Sequence, residues 1–240
     1  VQSKPDGQTI GFINLPTFPT LAAQSGAPFS INDIVPIANH LTEAGVVAVK
    51  ADSPYKTIEE LVAAAKEKGN LKASTNGNKA SNHTAAQLLA KSAGFKYKAI
   101  PYGGTADQLL ALRQGEVDFT CAKVADVAKL VKGDKPELRV LAVFNTKRDP
   151  ELPNVPTLGE KGLYPEWYGS ARALVAPKGT KPEVIQYYVE AFKKTMQDPA
   201  VIEAHKKAGM ALDFKDNKEL GDLIKAQDKF ARDVVNDLYK

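Results

Sequence analysis

Strand and helix signals alternate along this chain at short, regular intervals, and that alternation restricts the fold more than any other feature. Residues 71–75 read as a strand, residues 76–82 as a polar turn, and Ala85, Ala86, Leu88 and Leu89 as one face of a helix that stops at Gly94. The order then repeats. A strand over 95–100 leads into the turn Tyr102-Gly103-Gly104. Thr105 caps a helix with Ala106, Leu109 and Leu110. A buried-type strand follows over 117–121, then a helix near 124–131 and a strand over 138–144. Such a βαβ series predicts an α/β protein with a largely parallel sheet and helices on both faces.

The flanking segments use the same grammar. Residues 9–15 read as a strand entering a Pro-rich loop at Pro16 and Pro19, and residues 34–38 and 46–49 are apolar and β-branched. Thr57-Ile58-Glu59-Glu60 has the form of a capping box, and Gly69 stands where that helix should close. Residues 145–165 break the pattern with Pro150, Pro153, Pro156 and Pro165. A strand resumes over 168–176, and Thr180-Lys181-Pro182-Glu183 reads as a second capping box. Ile185, Tyr188, Val189, Phe192 and Met196 then share one helix face. After a short strand over 210–214, a last helix opens at Asp216-Asn217-Lys218-Glu219 and carries Leu220, Leu223, Ile224, Phe230, Val234 and Leu238 as a stripe.

Composition excludes several classes. With 43% hydrophobic and 25% charged residues in 240, the chain can bury a real core. No run approaches the ~20 apolar residues that span a bilayer. The formal net charge of +4 is a mild, dispersed excess, so no nucleic-acid partner is expected. Cys121 is the only cysteine, which rules out an intramolecular disulfide and cysteine-based metal sites within one chain. Residues 1–7 have no apolar h-region and no initial Met, and Pro5-Asp6-Gly7 is turn chemistry, so the chain is expected to open in the middle of a fold.

Motifs for nucleophilic catalysis, nucleotide binding and zinc proteolysis are missing, and no catalytic residue, metal or cofactor is expected. His40, His83 and His205 are far apart in sequence, and His205 among Glu203, Lys206 and Lys207 reads as part of a solvated helix face. The informative segment is Ser74-Thr75-Asn76-Gly77-Asn78-Lys79-Ala80-Ser81-Asn82-His83-Thr84. It joins a strand to a helix and contains no carboxylate. Hydroxyls, amides, one Lys and one His beside a helix N-terminus suit an anion. The plainer alternative is that Ser81 or Asn82 only caps the helix. The turns at Tyr102-Gly103-Gly104-Thr105 and at Ala122-Lys123 also follow strands. In a doubly wound sheet all three lie at the carboxyl edge, where open α/β sheets bind ligands.

These residues resemble a family. Asp52-Ser53-Pro54-Tyr55-Lys56-Thr57, the 74–83 loop, Pro101-Tyr102 with Gly104, and Gly115 with Val117-Asp118 look like the extracytoplasmic solute receptors of tripartite tricarboxylate transporters (Bug-type receptors). So do Leu138-Arg139 with Leu141-Ala142-Val143, the run from Lys147-Arg148 to Pro156-Thr157, and Ala176-Pro177 with Gly179-Thr180 and Pro182. The resemblance implies a type II periplasmic-binding-protein fold: two doubly wound α/β domains that close like a Venus flytrap on a small organic carboxylate held at the hinge. One domain would be residues 1–47 with 177–240 and the other 48–176, with crossings at 46–50 and 171–176. Thr75, Asn76, Gly77, Asn78, Ser81 and His83 would hold a ligand carboxylate, with Tyr102, Gly104 and Thr105 from the second turn. Trp167 would stand near the hinge and cleft wall, or else be a fixed core anchor.

The same resemblance implies a monomeric, non-enzymatic bacterial receptor, periplasmic or otherwise extracytoplasmic, that delivers its ligand to membrane permease subunits. Three departures stand out. The family's opening strand and Gly-rich loop have no counterpart, its second loop glycine is Lys79 here, and its usual Lys after Pro-Tyr is Gly103. Two other functions remain open: a metabolite-sensing effector domain of a transcription regulator, and a doubly wound enzyme.

Overall fold

The computed structural model describes residues 2–239. In chain order its main elements are β1 (Gly11–Leu15), α1 (Thr17–Ala22), β2 (Ile34–Lys50), α2 (Ile58–Lys68), β3 (Lys72–Thr75), α3 (Ser81–Ala93), β4 (Lys98–Pro101), α4 (Thr105–Gln114), β5 (Phe119–Lys123), α5 (Val124–Val127), β6 (Leu138–Phe144), β7 (Gly169–Pro177), α6 (Pro182–Met196), α7 (Pro199–Ala208), β8 (Leu212–Lys215) and α8 (Asn217–Phe230). They form two compact units. One ends at Glu43 and resumes at Ser170; the other is Ala44–Gly169.

The Ala44–Gly169 unit has the expected α/β character with one correction. β3 pairs in parallel with both β4 and β5, but β2 lies antiparallel to β5 and to β6. The βαβ crossovers therefore run one way, and a strand reached without a crossover is inserted against them. Val46, Val47, Ala48 and Val49 are all fully buried, because both faces of this sheet are covered. Val46 and Ala48 join Leu109, Leu112, Val117, Val124, Val140 and Val143 in one apolar cluster. Gly45 is required by close approach: a Cβ there would lie 3.0 Å from the Tyr168 carbonyl oxygen and 3.1 Å from Phe144.

In the other unit, β1 pairs antiparallel with β7, Gly11 opposite Val175 and Leu15 opposite Ala171. The first part of β2 pairs antiparallel with β8. Leu15, Ile34, Ala171, Ala173 and Val175 pack with Leu220 and Ile224 of α8, beside which Leu223 is half-buried. Ile37, Ala38 and Ala176 pack with Ile185 and Val189 of α6. Burying each of the Val, Leu and Ile side chains among them contributes about 1.5–3 kcal/mol.

Helix ends follow local chemistry. Thr57 accepts from the Glu60 N–H at 3.2 Å and Asp216 from the Glu219 N–H at 2.9 Å, each in a full capping box. The box expected at Thr180 does not form. Proline disfavours a helical residue before it and suits the first helical position, so Lys181 becomes the N-cap. The Thr180 hydroxyl donates instead to the Pro177 carbonyl at 2.8 Å. Thr105 is likewise the first residue of α4, with Gly104 as the cap. The Pro16–Pro19 segment, expected as a loop, instead opens α1. The helix expected over 124–131 is the short α5.

The expected domain limits at Val47 and Ala176 differ from the division at Glu43 and Gly169. Both junctions lie inside continuous strands, and residue type does not mark where a strand changes partner. On β2 that change occurs between Leu41, opposite Leu212, and Gly45, opposite Lys123 and Phe144. Val1 and Lys240, the ends of the first expected domain, lie outside the described residues.

Candidate ligand-binding site

Because β3, β4 and β5 are mutually parallel, the turns that follow them open on the same sheet edge. The β3–α3 turn brings together most of the expected residues. Gly77 has φ +120°, a conformation that only glycine adopts readily. Lys79 has φ +57°, also left-handed. A glycine would adopt this conformation freely, whereas Lys79 holds it under strain.

Helix α3 begins at Ser81, and its N-cap, Ala80, offers no side-chain cap. Neither Ser81 nor Asn82 is the cap, which removes the plainer reading of both. The Asn82 N–H donates to Asn76 Oδ1 at 3.3 Å, so Asn76 reaches back over the first turn. The Lys79 N–H donates to His83 Nδ1 at 3.0 Å. A neutral His83 therefore carries its proton on Nε2. Burial lowers its pKa and favours that neutral form. The Thr75 hydroxyl donates to the Gly77 carbonyl at 3.4 Å, and Asn78 is exposed.

A buried polar network that sequence analysis did not find lies beside this turn. Gln108 on α4 is fully buried. Its Nε2 donates to the Cys121 carbonyl at 2.7 Å, to the Ser74 carbonyl at 3.3 Å and to Thr120 Oγ1. Its Oε1 accepts from Asn82 Nδ2 at 2.9 Å. Lys123, at the end of β5 and only 3% exposed, donates from Nζ to Ser81 Oγ at 3.2 Å and to Asn82 Oδ1. A cation is thus held at the opening of α3. The sequence signal was weak: Ala122-Lys123 stood out as a third βα turn, but nothing marked Lys123 as inward-facing. The Cys121 thiol is fully buried, with its pKa pushed up to about 12 by desolvation, in keeping with inert packing.

The second turn contributes less. The Tyr102 N–H donates to the Thr75 carbonyl at 2.9 Å, tying the two turns together, but its phenol donates to Glu116 Oε2 at 3.1 Å. Desolvation, and then that bond, raise the Tyr102 pKa. Gly104 is extended at φ 175°, and Thr105 is half-buried. Trp167 is half-buried against the apolar cluster of Val46, Leu112 and Val143. Among the described residues, no group of three or more His, Cys, Asp or Glu could hold a metal ion, and no helix is long and apolar enough to cross a membrane.

Residues 1–238 match the family model described as "Tripartite tricarboxylate transporter family receptor". The chain belongs to this family. A curated relative from Cupriavidus necator, "UPF0065 protein in gbd 5'region", is 35% identical over 199 residues, covering 81% of this chain and 59% of its own length. The chain therefore spans about three-fifths of such relatives.

Solved structures agree on the fold. Periplasmic binding protein BugD superposes with a TM-score of 0.85 at 22% identity, covering 99% of this chain and 80% of its own. MatC from Rhodopseudomonas palustris with bound malate gives 0.88 at 21%, covering 97% and 81%. An R. palustris protein with adipate gives 0.88 at 20%, covering 99% and 80%. The fold is that of periplasmic solute-binding proteins, and the family model describes a receptor.

Proposed function

We propose that this chain captures a small organic carboxylate outside the cytoplasm, as a monomeric receptor, and passes it to the permease subunits of a tripartite transporter. The observation that carries the reading is the opening of α3. A 13-residue helix starts at an N-cap, Ala80, that offers no side-chain acceptor, with only the Asn82 N–H met by Asn76, behind a turn that contains no carboxylate and beside the buried Lys123 ammonium. Helix N-terminal N–H groups and a nearby cation both favour an anion. Asn76, Asn78 and Ser81 supply hydroxyl and amide donors around it, His83 supplies a ring N–H, and Thr75 shapes the turn through its bond to the Gly77 carbonyl. Each hydrogen bond to a carboxylate contributes about 1.5–3 kcal/mol. Malate and adipate, bound by the two R. palustris neighbours, place four- to six-carbon dicarboxylates first among candidates.

The test is a thermal-shift screen with mono-, di- and tricarboxylic acids. A ligand at about 100 times its Kd stabilises the folded state by roughly 2.7 kcal/mol. At least one acid should give a saturable rise in melting temperature. No rise across the panel would overturn the reading.

A further inference from the structure

The hydrogen bonds around Lys123 have a fixed direction. An ammonium carries donors and no acceptor. Ser81 Oγ, 3.2 Å from Lys123 Nζ, must therefore accept from it, and the Ser81 proton is left to point elsewhere. Asn82 is set in the same way. Its Oδ1 accepts from Lys123, so its Nδ2 must donate, and it does so to Gln108 Oε1 at 2.9 Å. The orientation of Gln108 follows, since its Nε2 meets only acceptors: the carbonyls of Ser74 and Cys121 and the Thr120 hydroxyl. From Lys123 outward, each amide has one orientation.

The geometry points to Lys123 as a specificity-determining positioning residue: by donating to Ser81 it turns the Ser81 proton away from itself and sets an ammonium behind the hydroxyl, so the opening of α3 takes a carboxylate in preference to the uncharged carboxamide of the same shape. This rests on the carboxylate reading of the same turn and names what enforces it. Both oxygens of a carboxylate accept, whereas a carboxamide offers one accepting oxygen, and its N–H₂ gains nothing from the backbone N–H donors of the helix opening. Charge acts in the same sense. A ligand oxygen accepting from Ser81 at about 2.7 Å can be no more than about 6 Å from Lys123 Nζ. Opposite charges at that separation in a partly buried site attract. Keeping an ammonium 97% out of water (3% exposed) is costly, which argues against mere space-filling by a residue that an apolar side chain could replace.

The experiment is isothermal titration of the protein with malate, adipate and the acid of the thermal-shift panel that stabilises it most, each beside its amide. Wild type should bind a dicarboxylate and discriminate against its diamide. Lys123→Met should weaken dicarboxylate binding by about tenfold to a hundredfold, the range for one charge-assisted hydrogen bond, and leave diamide binding nearly unchanged. Adding Ser81→Ala to Lys123→Met should cost less than Ser81→Ala alone, because the two act as one unit. Lys123→Arg should retain the discrimination. If Lys123→Met does not fold, Lys123→Gln, which keeps a donor and the length but loses the charge, should still reduce the acid-to-amide ratio. A folded Lys123→Met or Lys123→Gln protein with wild-type discrimination would overturn the role of Lys123 while leaving the carboxylate reading intact. A wild-type protein that binds none of the mono-, di- and tricarboxylic acids of the thermal-shift panel would overturn both.

Discussion

Replacing Gln108 by Met tests whether the buried network holds the site together. Met has a similar length and no amide, so the change removes hydrogen bonds with little change in volume. The Ser74 carbonyl keeps a partner, since the Thr120 hydroxyl donates to it at 2.9 Å. The Cys121 carbonyl and Asn82 Nδ2 each lose the bond that Gln108 makes, at 2.7 and 2.9 Å. Leaving a buried polar group unsatisfied costs about 1–3 kcal/mol, so the two together predict a loss of roughly 2–6 kcal/mol. That is a large share of a typical stability of about 5–15 kcal/mol. Urea unfolding followed by tryptophan emission measures it directly. Trp167 is the only tryptophan and lies in the Ala44–Gly169 unit, so the signal reports the unit that contains Gln108. A loss below about 1 kcal/mol, with an unchanged denaturant slope, would refute the claim that these bonds hold the network.

Lys79→Gly should stabilise the fold by up to about 1 kcal/mol, because relief of the left-handed strain exceeds the entropy glycine adds to the unfolded chain; a lower melting temperature would contradict this. Ser81→Ala should weaken carboxylate binding by about tenfold to a hundredfold, read by calorimetric titration. Acid should destabilise the protein from about pH 6.5 downward. His40 has its pKa lowered by burial, then by His205 and Arg172, and His83 by burial, both from 6.5. The unfolded state then binds more protons, so their contribution is complete above pH 6.5 and is lost as pH falls below it. Glu59, Glu151 and Glu160, lowered from 4.5 by bonds to Lys161, Lys132 and Arg148, act only at lower pH. Urea midpoints between pH 8 and 5 should show the loss, and a flat profile would contradict it.

How much of this was legible in the sequence depends on how local the signal is. Capping boxes at Thr57 and Asp216 and left-handed glycines at Gly69 and Gly94 are set within a few residues, and the structure has them. The 74–84 turn was readable because polar residues without carboxylates gather before a helix. Gln108 was not. On α4 the apolar residues Ala106, Leu109 and Leu110 suggested the inner face, yet Leu110 is 45% exposed and Gln108 is fully buried. A glutamine is buried only where partners from other elements meet it, and Ser74, Cys121 and Asn82 are distant in sequence. The same holds for Lys123, whose partners lie 41 and 42 residues upstream. His205, read as part of a solvated face, sits with Nε2 2.8 Å from His40 Nε2, a meeting across 165 residues that no spacing rule encodes.

The opening of α3 is where the ligand's carboxylate should bind, and a crystal structure of the protein with the acid that stabilises it most tests this without intermediaries. Carboxylate oxygens should lie about 2.7–3.1 Å from Ser81 Oγ and from backbone N–H groups of the first turn of α3, with Lys123 still donating to Ser81. An acid bound with its carboxylates away from residues 75–83 would contradict it.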